Sequence, residues 1–567
     1  MGAIRNHDVA ELLERLSLLS EASGDDRFKA IAYRRAATSV KNLGEDIDQV
    51  RKRGELTEIP YVGEGIAKKI DEYLVTGRLE FLEKLEAKVP AGAVDLMRVP
   101  GIGPRTAYKL AKDHGVRSVA QLKTELEAGR LTEALGQVVS KKILESVEKM
   151  KSAGQARMLL VEAIHLSMDL MGYLKSEGVE ADVAGSLRRG KSTVGDIDLL
   201  CTDAKGADLL VGYPGVDRVI EKGPTRTSVF LKDGVQVDVR VLGRQEYGAA
   251  LLYFTGSKEH NIGLRNLAMA RGWKLNEYGL FEVKSGERIA GSSEEEVYGK
   301  LGLAFIPPEL REANGEIEAA REGRLPALVE AGDIRGDLQV HSTWSDGADE
   351  LEKMARAARE KGYEYMAFTD HSFSVGVANG LSEERFKKQW KAIDELNDEL
   401  EPFRILRGVE AEVRSDGALD YDRAFLENFD FVGASIHQAY RQSPEKLTER
   451  AVKALEHPSV DVLFHPTNRL IGRREGNPID LPRVISTARD GGKMLEIDGS
   501  PMRLDLDEVW ARRAMEEGVP LLIDSDAHSI GELENVEYGT IVARRAWLEK
   551  KNVANALPLR SLLKRLS

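Results

Sequence analysis

The chain has 567 residues, 42% of them apolar and 31% charged, and a formal net charge of −13. That length calls for several cores rather than one, the ordinary composition excludes a disordered or fibrous chain, and no uninterrupted apolar run is long enough to cross a bilayer. A negative total argues against a protein that is basic throughout, yet leaves room for local basic patches and for metal-binding carboxylates. Residues 1–8 are polar and lack the apolar core of a signal peptide. The single cysteine, Cys201, excludes an internal disulfide and a Cys-built zinc site. These features lead us to expect a cytoplasmic monomer that makes no contact with a membrane.

Residues 7–43 read as helices: Ala10, Leu12, Leu13, Leu16 and Leu19 recur at helical spacing, and a second segment, 28–40, carries Arg34 and Arg35. Residues 59–70, Ile-Pro-Tyr-Val-Gly-Glu-Gly-Ile-Ala-Lys-Lys-Ile, hold a Gly-x-Gly hairpin at Gly63 and Gly65 that leads into a helix bearing Lys68 and Lys69. Residues 99–107 repeat the pattern with Gly101, Gly103 and Arg105. Glycines there let the backbone approach a phosphate, and the helix start that follows supplies N–H donors. Two copies of this helix-hairpin-helix pattern predict a grip on the DNA backbone without reading of bases.

After a polar helical region near 150 and an amphipathic helix over 156–178, strands alternate with turns. Gly185-Ser186-Leu187-Arg188-Arg189-Gly190 precedes a strand carrying Gly195-Asp196-Ile197-Asp198. Asp196 and Asp198 are two apart in an extended run, so both project from one face while Ile197 and Leu199 enter the core. Paired carboxylates on a rigid face suit two hard cations and in-line phosphoryl or nucleotidyl displacement. The Gly-Ser turn can offer N–H groups and a hydroxyl to a triphosphate, with Arg189 neutralising it. In 235–241, Val-Gln-Val-Asp-Val-Arg-Val, the valines face one side, and Asp238 supplies a third carboxylate placed to act as general base. Residues 251–265 then carry Tyr253-Phe254-Thr255-Gly256-Ser257, Asn261 and Arg265.

Together the Gly-Ser-x-Arg-Arg-Gly turn, Gly-Asp-x-Asp, Val-Asp-x-Arg and Tyr-Phe-Thr-Gly-Ser-x-x-x-Asn-x-x-x-Arg resemble the family X DNA polymerases over residues 1 to about 315. The resemblance implies that Asp196, Asp198 and Asp238 bind catalytic Mg²⁺ or Mn²⁺, and that Ser186 and Arg189 hold the triphosphate. It implies that Tyr253, Phe254 and Gly256 line the sugar and resist a ribose hydroxyl, that Asn261 touches the base edge, and that Arg265 reaches the template-side minor groove; Gly185, Gly195 and Ser257 complete the nucleotide-binding set. Lys69 falls at the position of the family's lyase nucleophile, where a Schiff base could form; binding of a 5′-phosphate by Lys68 and Lys69 is the other reading.

A charged stretch from 309 to 332 reads as an interdomain linker with helical content. Beyond it, apolar runs separated by helical segments appear seven times, at 336–341, 365–371, 404–413, 431–437, 460–465, 494–498 and 519–528. That alternation predicts a parallel sheet closed as a barrel. Five of the ten histidines, His341, His371, His437, His465 and His528, end such runs, with Asp346, Asp370, Glu410 and Asp526 at similar places. Catalytic groups gather at that end of a β/α barrel, so the spacing predicts one multinuclear cluster able to hydrolyse a phosphoester.

The motifs Asp-Leu-x-x-His-Ser-x-x-Ser-Asp-Gly, Thr-Asp-His-Ser, Gly-x-Glu, Ser-Ile-His, Phe-His-Pro-Thr and Ser-Asp-Ala-His resemble the PHP domain. By that resemblance His341, Asp346, His371, Glu410, His437, His465, Asp526 and His528 bind up to three Mn²⁺ or Zn²⁺ (or Fe), with Glu410 bridging two. Gln339 stands where the family often has a first histidine, which points to one weaker site, and Asp498 stands where asparagine is expected.

The expected fold is multidomain α/β: helical helix-hairpin-helix domains at 1–85 and 86–150, an α+β nucleotidyltransferase palm at 151–245, a thumb or nucleotide-binding subdomain at 246–315, a linker at 316–332, and a distorted (β/α)7 PHP barrel at 333–567. The expected activity is DNA-directed DNA polymerisation that fills short gaps in base excision repair, in association with the nucleoid, with gapped or primer–template DNA and dNTPs as partners. The barrel adds a 3′-5′ exonuclease, with cutting at abasic sites and removal of 3′-phosphates as extensions of the same chemistry. The alternatives are nucleotidyl transfer to RNA or a small molecule, and a polymerase whose barrel is only structural.

Overall fold

The computed structural model describes residues 2–23, 27–41, 47–86, 88–90, 92–97, 99, 102–137, 139–140, 143–144 and 157–566. The chain divides into two compact units, Met1–Gln155 and Ala156–Ser567.

The described residues of the first unit are helical or irregular. Helix Gly2–Ser23 buries Val9, Leu13 and Leu16 on one stripe, in a core shared with Tyr33, Ala36 and Val40 of helix Arg27–Lys41. The two glycine hairpins repeat one geometry. The Val62 N–H donates to the Ile59 carbonyl at 3.0 Å, and the Ile102 N–H donates to the Val99 carbonyl at 3.0 Å. Gly63 (φ −75°, ψ 170°) then starts helix Glu64–Thr76, as Gly103 (φ −80°, ψ 168°) starts helix Pro104–Asp113. The buried valine and isoleucine anchor each hairpin, and Gly63, Gly65 and Gly103 beside them are exposed. Residues 145–156, which contain the polar region near 150, lie outside the described residues.

The second unit begins with β1 (Met158–Leu159), which pairs with β3 (Thr193–Val194). Five more strands, β2 (Ala181–Val183), β4 (Asp196–Cys201), β5 (Val216–Lys222), β6 (Arg226–Leu231) and β7 (Gln236–Val241), form a sheet in the order β2-β4-β7-β6-β5. Within it only β4 and β7 run parallel. The period of two in β4 buries Ile197 and Leu199 in a core with Leu170, Leu174 and Leu210 from the flanking helices. The neighbouring subdomain joins helices Tyr247–Thr255 and Lys258–Ala270 to an antiparallel sheet of β8 (Trp273–Asn276), β9 (Gly279–Glu282) and β10 (Arg288–Ala290).

The stretch expected to be a linker is not one. Helix Glu316–Arg321 buries Glu316, Ile317, Ala319 and Ala320, and Arg311 just before it is fully buried. Its charges are satisfied by distant partners: Glu316 meets His260 at 2.6 Å, and Arg311 meets Glu294 at 2.6 Å. Farther on, the Val329 N–H donates to the Leu548 carbonyl at 2.9 Å.

The barrel contains β11 (Gly336–Val340), β12 (Tyr365–Phe368), β13 (Arg404–Glu412), β14 (Phe431–Ser435), β15 (Val462–Leu463), β16 (Met494–Asp498) and β17 (Leu521–Asp524), parallel and in sequence order. Apart from Arg404 and Arg407 of β13, these strands are buried along their length, as expected where helices cover a parallel sheet. Between β11 and β17 the seam is closed partly by side chains. Asp524 Oδ1 accepts from the Leu338 N–H at 2.8 Å, Asp337 Oδ1 accepts from the Ser525 N–H at 3.2 Å, and Val340 bridges Ala527.

Candidate active sites

Pairing of β4 with β7 sets Asp198 directly opposite Asp238, and Asp196 opposite Gln236. The three carboxylates therefore share one face of the sheet. Burial pushes Asp198 up to about 7, with Asp196 and Asp238 adding repulsion; Asp196 is raised by burial and then by Asp238. Crowded, half-buried carboxylates that resist ionising together are the electrostatic signature of a cation site. Asp238 is held by Arg226 at 2.9 Å and Gln236 at 3.1 Å. The Gly-Ser turn is a single helical turn, Gly185–Arg188, and its first glycine is required twice. Gly185 has φ 65°, and a Cβ there would come 2.7 Å from Asp198 Oδ2. Ser186 follows it in the same turn, and Gly195 separates β3 from β4.

Arg189, Tyr253, Phe254, Gly256, Lys258, Asn261 and Arg265 line an open cleft of about 260 Å³. Asn261 Nδ2 donates to the Tyr253 carbonyl at 2.7 Å, and Arg265 Nε donates to the Asn261 carbonyl at 3.3 Å. The Arg240 guanidinium lies 4.0 Å from the Phe254 ring centre. Gly256, at φ 71°, turns the chain between the two helices. Ser257, expected in the nucleotide-binding set, has a structural role in this fold. It is buried, its hydroxyl accepts from the His260 N–H at 3.2 Å to cap helix Lys258–Ala270, and its own N–H donates to the Arg311 carbonyl.

In the first unit, Gly63, Gly65 and Gly103 are exposed, and nothing lies within 4 Å of where a Cβ would stand. Lys68 is exposed. Gly101 lies outside the described residues, as does the side chain of Arg105, which occupies the first turn of helix Pro104–Asp113. Lys69 is half-buried, 4.7 Å from the Phe81 ring centre and 5.9 Å from that of Tyr33. Burial, and then repulsion from Lys29, lowers its amine below the ordinary lysine range.

The barrel brings all eight expected ligands together at the C-terminal ends of its strands. Glu410, fully buried, is met by His341 at 3.5 Å, His371 at 3.0 Å, His437 at 3.3 Å and His465 at 2.9 Å. Asp346 lies 3.6 Å from His371 and 3.5 Å from His528, and Asp526 lies 3.4 Å from His341. Two groupings offer converging ligand atoms: His341, Asp346, His371 and His528, and His371, Glu410 and His437. The donor set fits divalent metal. Both ring nitrogens of His341, Nδ1 of His371 and of His465, and Oε2 of Glu410 are buried without a hydrogen-bond partner. The acidic field overcomes burial to push His341 up to about 9 and His437 up to about 10, whereas burial and Arg503 lower His465 to about 4. Glu412 accepts from His437 Nδ1 at 3.0 Å and fixes that ring.

Asp370 stands apart from the ligands. It accepts from the Ser342 and Ser345 N–H groups and from both their hydroxyls, so it shapes the loop that carries Asp346. Gln339 faces Glu496; with its amide turned so that the nitrogen points at that carboxylate, it donates to Oε2 at 3.2 Å and is paired with a second carboxylate within the barrel. Asp498 lies 3.4 Å from Arg503, which is also 3.4 Å from Asp526. Arg503 was not anticipated: it belongs to no motif, and its place is set by a loop after β16.

The fold and the two carboxylate centres define a metal-dependent enzyme of phosphate chemistry with a nucleotidyltransferase palm and a phosphoesterase barrel. Residues 4–79 match a helix-hairpin-helix domain, 93–149 a SAM-like helix-hairpin-helix tandem, 250–312 the DNA polymerase beta thumb, and 337–471 the PHP domain. The chain is 39% identical to the DNA polymerase/3′-5′ exonuclease PolX of Bacillus subtilis (strain 168), over 98% of each chain. It is 26% identical to DNA polymerase lambda of Rattus norvegicus over 54% of this chain and 56% of that one. The corresponding match in Arabidopsis thaliana is 27% identical, over 54% and 62%. The chain belongs to the family X DNA polymerases that carry a C-terminal PHP domain.

Proposed function

We propose that this chain fills short gaps in DNA during base excision repair by adding deoxynucleotides to a 3′-hydroxyl, and trims 3′ ends with its barrel as a 3′-5′ exonuclease. The observation that carries the first half is the register that sets Asp198 opposite Asp238 beside the Arg189–Arg265 cleft. Asp196, Asp198 and Asp238 would hold divalent metal, Mg²⁺ or Mn²⁺ in this reading, which would supply charge neutralisation for the displaced pyrophosphate. Asp238 takes the proton of the attacking 3′-hydroxyl, and Ser186 and Arg189 hold the triphosphate. Tyr253 and Phe254 wall the sugar, and the exposed glycine hairpins hold the DNA backbone.

In the barrel, the eight ligands would hold up to three Mn²⁺, Zn²⁺ or Fe ions, which would supply the polarisation that phosphoester hydrolysis needs. Glu410, touched by four imidazoles, is the central carboxylate of that set, and Glu412 orients His437. Lys69, whose amine is lowered by burial and then by Lys29, stands ready as a lyase nucleophile, and with Lys68 it is also placed to contact a 5′-phosphate. The protein acts on gapped or primer–template DNA with dNTPs, as a monomer in the cytoplasm. Among the described residues, no helix is long and apolar enough to cross a membrane.

The test is extension and 3′-end degradation on one gapped DNA, with dNTPs and then NTPs, under Mg²⁺ or Mn²⁺. Asp196→Ala should lower extension by about a thousandfold or more and leave degradation intact, and His341→Ala should do the reverse. Normal extension by Asp196→Ala would overturn the polymerase assignment, as undiminished degradation by His341→Ala would overturn the nuclease.

A further inference from the structure

The segment after Arg189 runs against the barrel. Gly190, at φ 65°, approaches helix Val536–Arg545 so closely that a Cβ there would come 2.3 Å from Ile541 Cγ2 and 3.7 Å from Arg545 Cδ. Arg545 is nearly buried, at 2% side-chain exposure, and its guanidinium reaches three groups. It donates to the Arg189 carbonyl at 2.5 Å, to Glu312 Oε1 at 3.2 Å and to Glu508 Oε1 at 2.7 Å. Glu312 also takes Arg189 Nε at 3.0 Å and lies 3.3 Å from Lys191, which itself lies 3.5 Å from Glu508. The Arg189 Nη1 atom donates to the Thr255 carbonyl at 2.5 Å.

The charge count of this cluster decides its effect on a triphosphate. Three cations, Arg189, Lys191 and Arg545, face two anions, Glu312 and Glu508, which leaves one net positive charge. Without Arg545, Glu312 and Glu508 would neutralise Arg189 and Lys191 one for one. Arg189 would then offer an incoming polyanion little net charge, and its backbone would lose its hydrogen bond to the barrel.

We infer that Arg545, supplied by the barrel, is a positioning residue for the nucleotide site: it holds Arg189 through its carbonyl and offsets Glu312 and Glu508, which keeps Arg189 electrostatically available to the triphosphate of the incoming nucleotide. This rests on the polymerase reading above. Arg545 touches neither substrate nor metal; it acts through Arg189.

The experiment compares steady-state gap filling by full-length wild type, Arg545→Met and Glu508→Gln, with degradation of single-stranded DNA as a check that the barrel is folded. Arg545→Met should raise the KM for dNTP by about fivefold, with kcat within about twofold, because the lost interaction acts on triphosphate binding. Glu508→Gln, which removes an anion, should lower that KM. An unchanged KM in an Arg545→Met protein with wild-type nuclease activity would overturn the inference, and so would a raised KM in Glu508→Gln. If Arg545→Met fails to fold, Glu508→Gln alone decides. Asp196→Ala runs alongside: if it is inactive while Arg545→Met keeps its KM, only the inference fails, and if it extends normally, both fall.

Discussion

Lys69 shows how much one half-buried amine can reveal. Its charge is disfavoured by burial and then by Lys29, while the rings of Phe81 and Tyr33 lie beside it. A lowered pKa means that the free amine persists to a lower pH than on an ordinary lysine, and the free amine is the form that attacks an aldehyde. Borohydride should therefore trap a covalent adduct with a 5′-deoxyribose phosphate end, and Lys69→Ala should abolish it. Lys29→Met removes a neighbouring positive charge, so the Lys69 pKa should rise and the pH profile of trapping should move to the alkaline side. Trapping that survives Lys69→Ala would assign the chemistry to another amine.

At the scale of elements, close packing sets what the helices tolerate. Helix Tyr247–Thr255 carries Gly248, where a Cβ would come 2.1 Å from the backbone Cα of Ser293, the cap of helix Glu294–Lys300. Backbone cannot yield as a side-chain tip can. Gly248→Ala should destabilise this subdomain by about 1–3 kcal/mol, seen as a lower thermal midpoint, whereas Gly299→Ala, open to solvent in the same region, should not. Strands β4 and β7, the barrel order and the convergence of its histidines were legible because each is written locally, as period two in β4 and apolar runs ending in histidine, whereas β5 and the β8–β10 sheet carried no such signal. The segment 309–332 misled because its charges look solvated until His260, Arg189 and Arg545, all remote in sequence, are brought to them. At Ser257 the sequence does not separate a cap from a substrate contact, since both call for the same hydroxyl. Arg503 and Arg545 carried no local signal; only the fold gives them partners.

Across the second unit, synthesis and degradation are built into one packed body. Val329 hydrogen-bonds to Leu548, Arg544 holds Glu309 at 2.8 Å, and Leu328 bridges Glu549. A chain ended at residue 332 would uncover the fully buried Val329 and leave Glu312 without Arg545. Such a fragment should melt at a lower temperature than the same residues in the full chain, and its KM for dNTP should rise at least as far as in Arg545→Met. A fragment with the midpoint and KM of the full protein would show that the barrel contributes nothing to the polymerase half.

The glycine at 190, pressed against Ile541, also bears on how such a gene can change over generations. A lineage could lose one histidine ligand after another as the need for trimming lapsed, and selection for gap filling would still preserve the helix that ends in Arg545. Decay of the nuclease would leave an intact barrel, inert in chemistry but held in the genome by the activity next door. Descendants of this arrangement should therefore shed their metal ligands before they shed the domain.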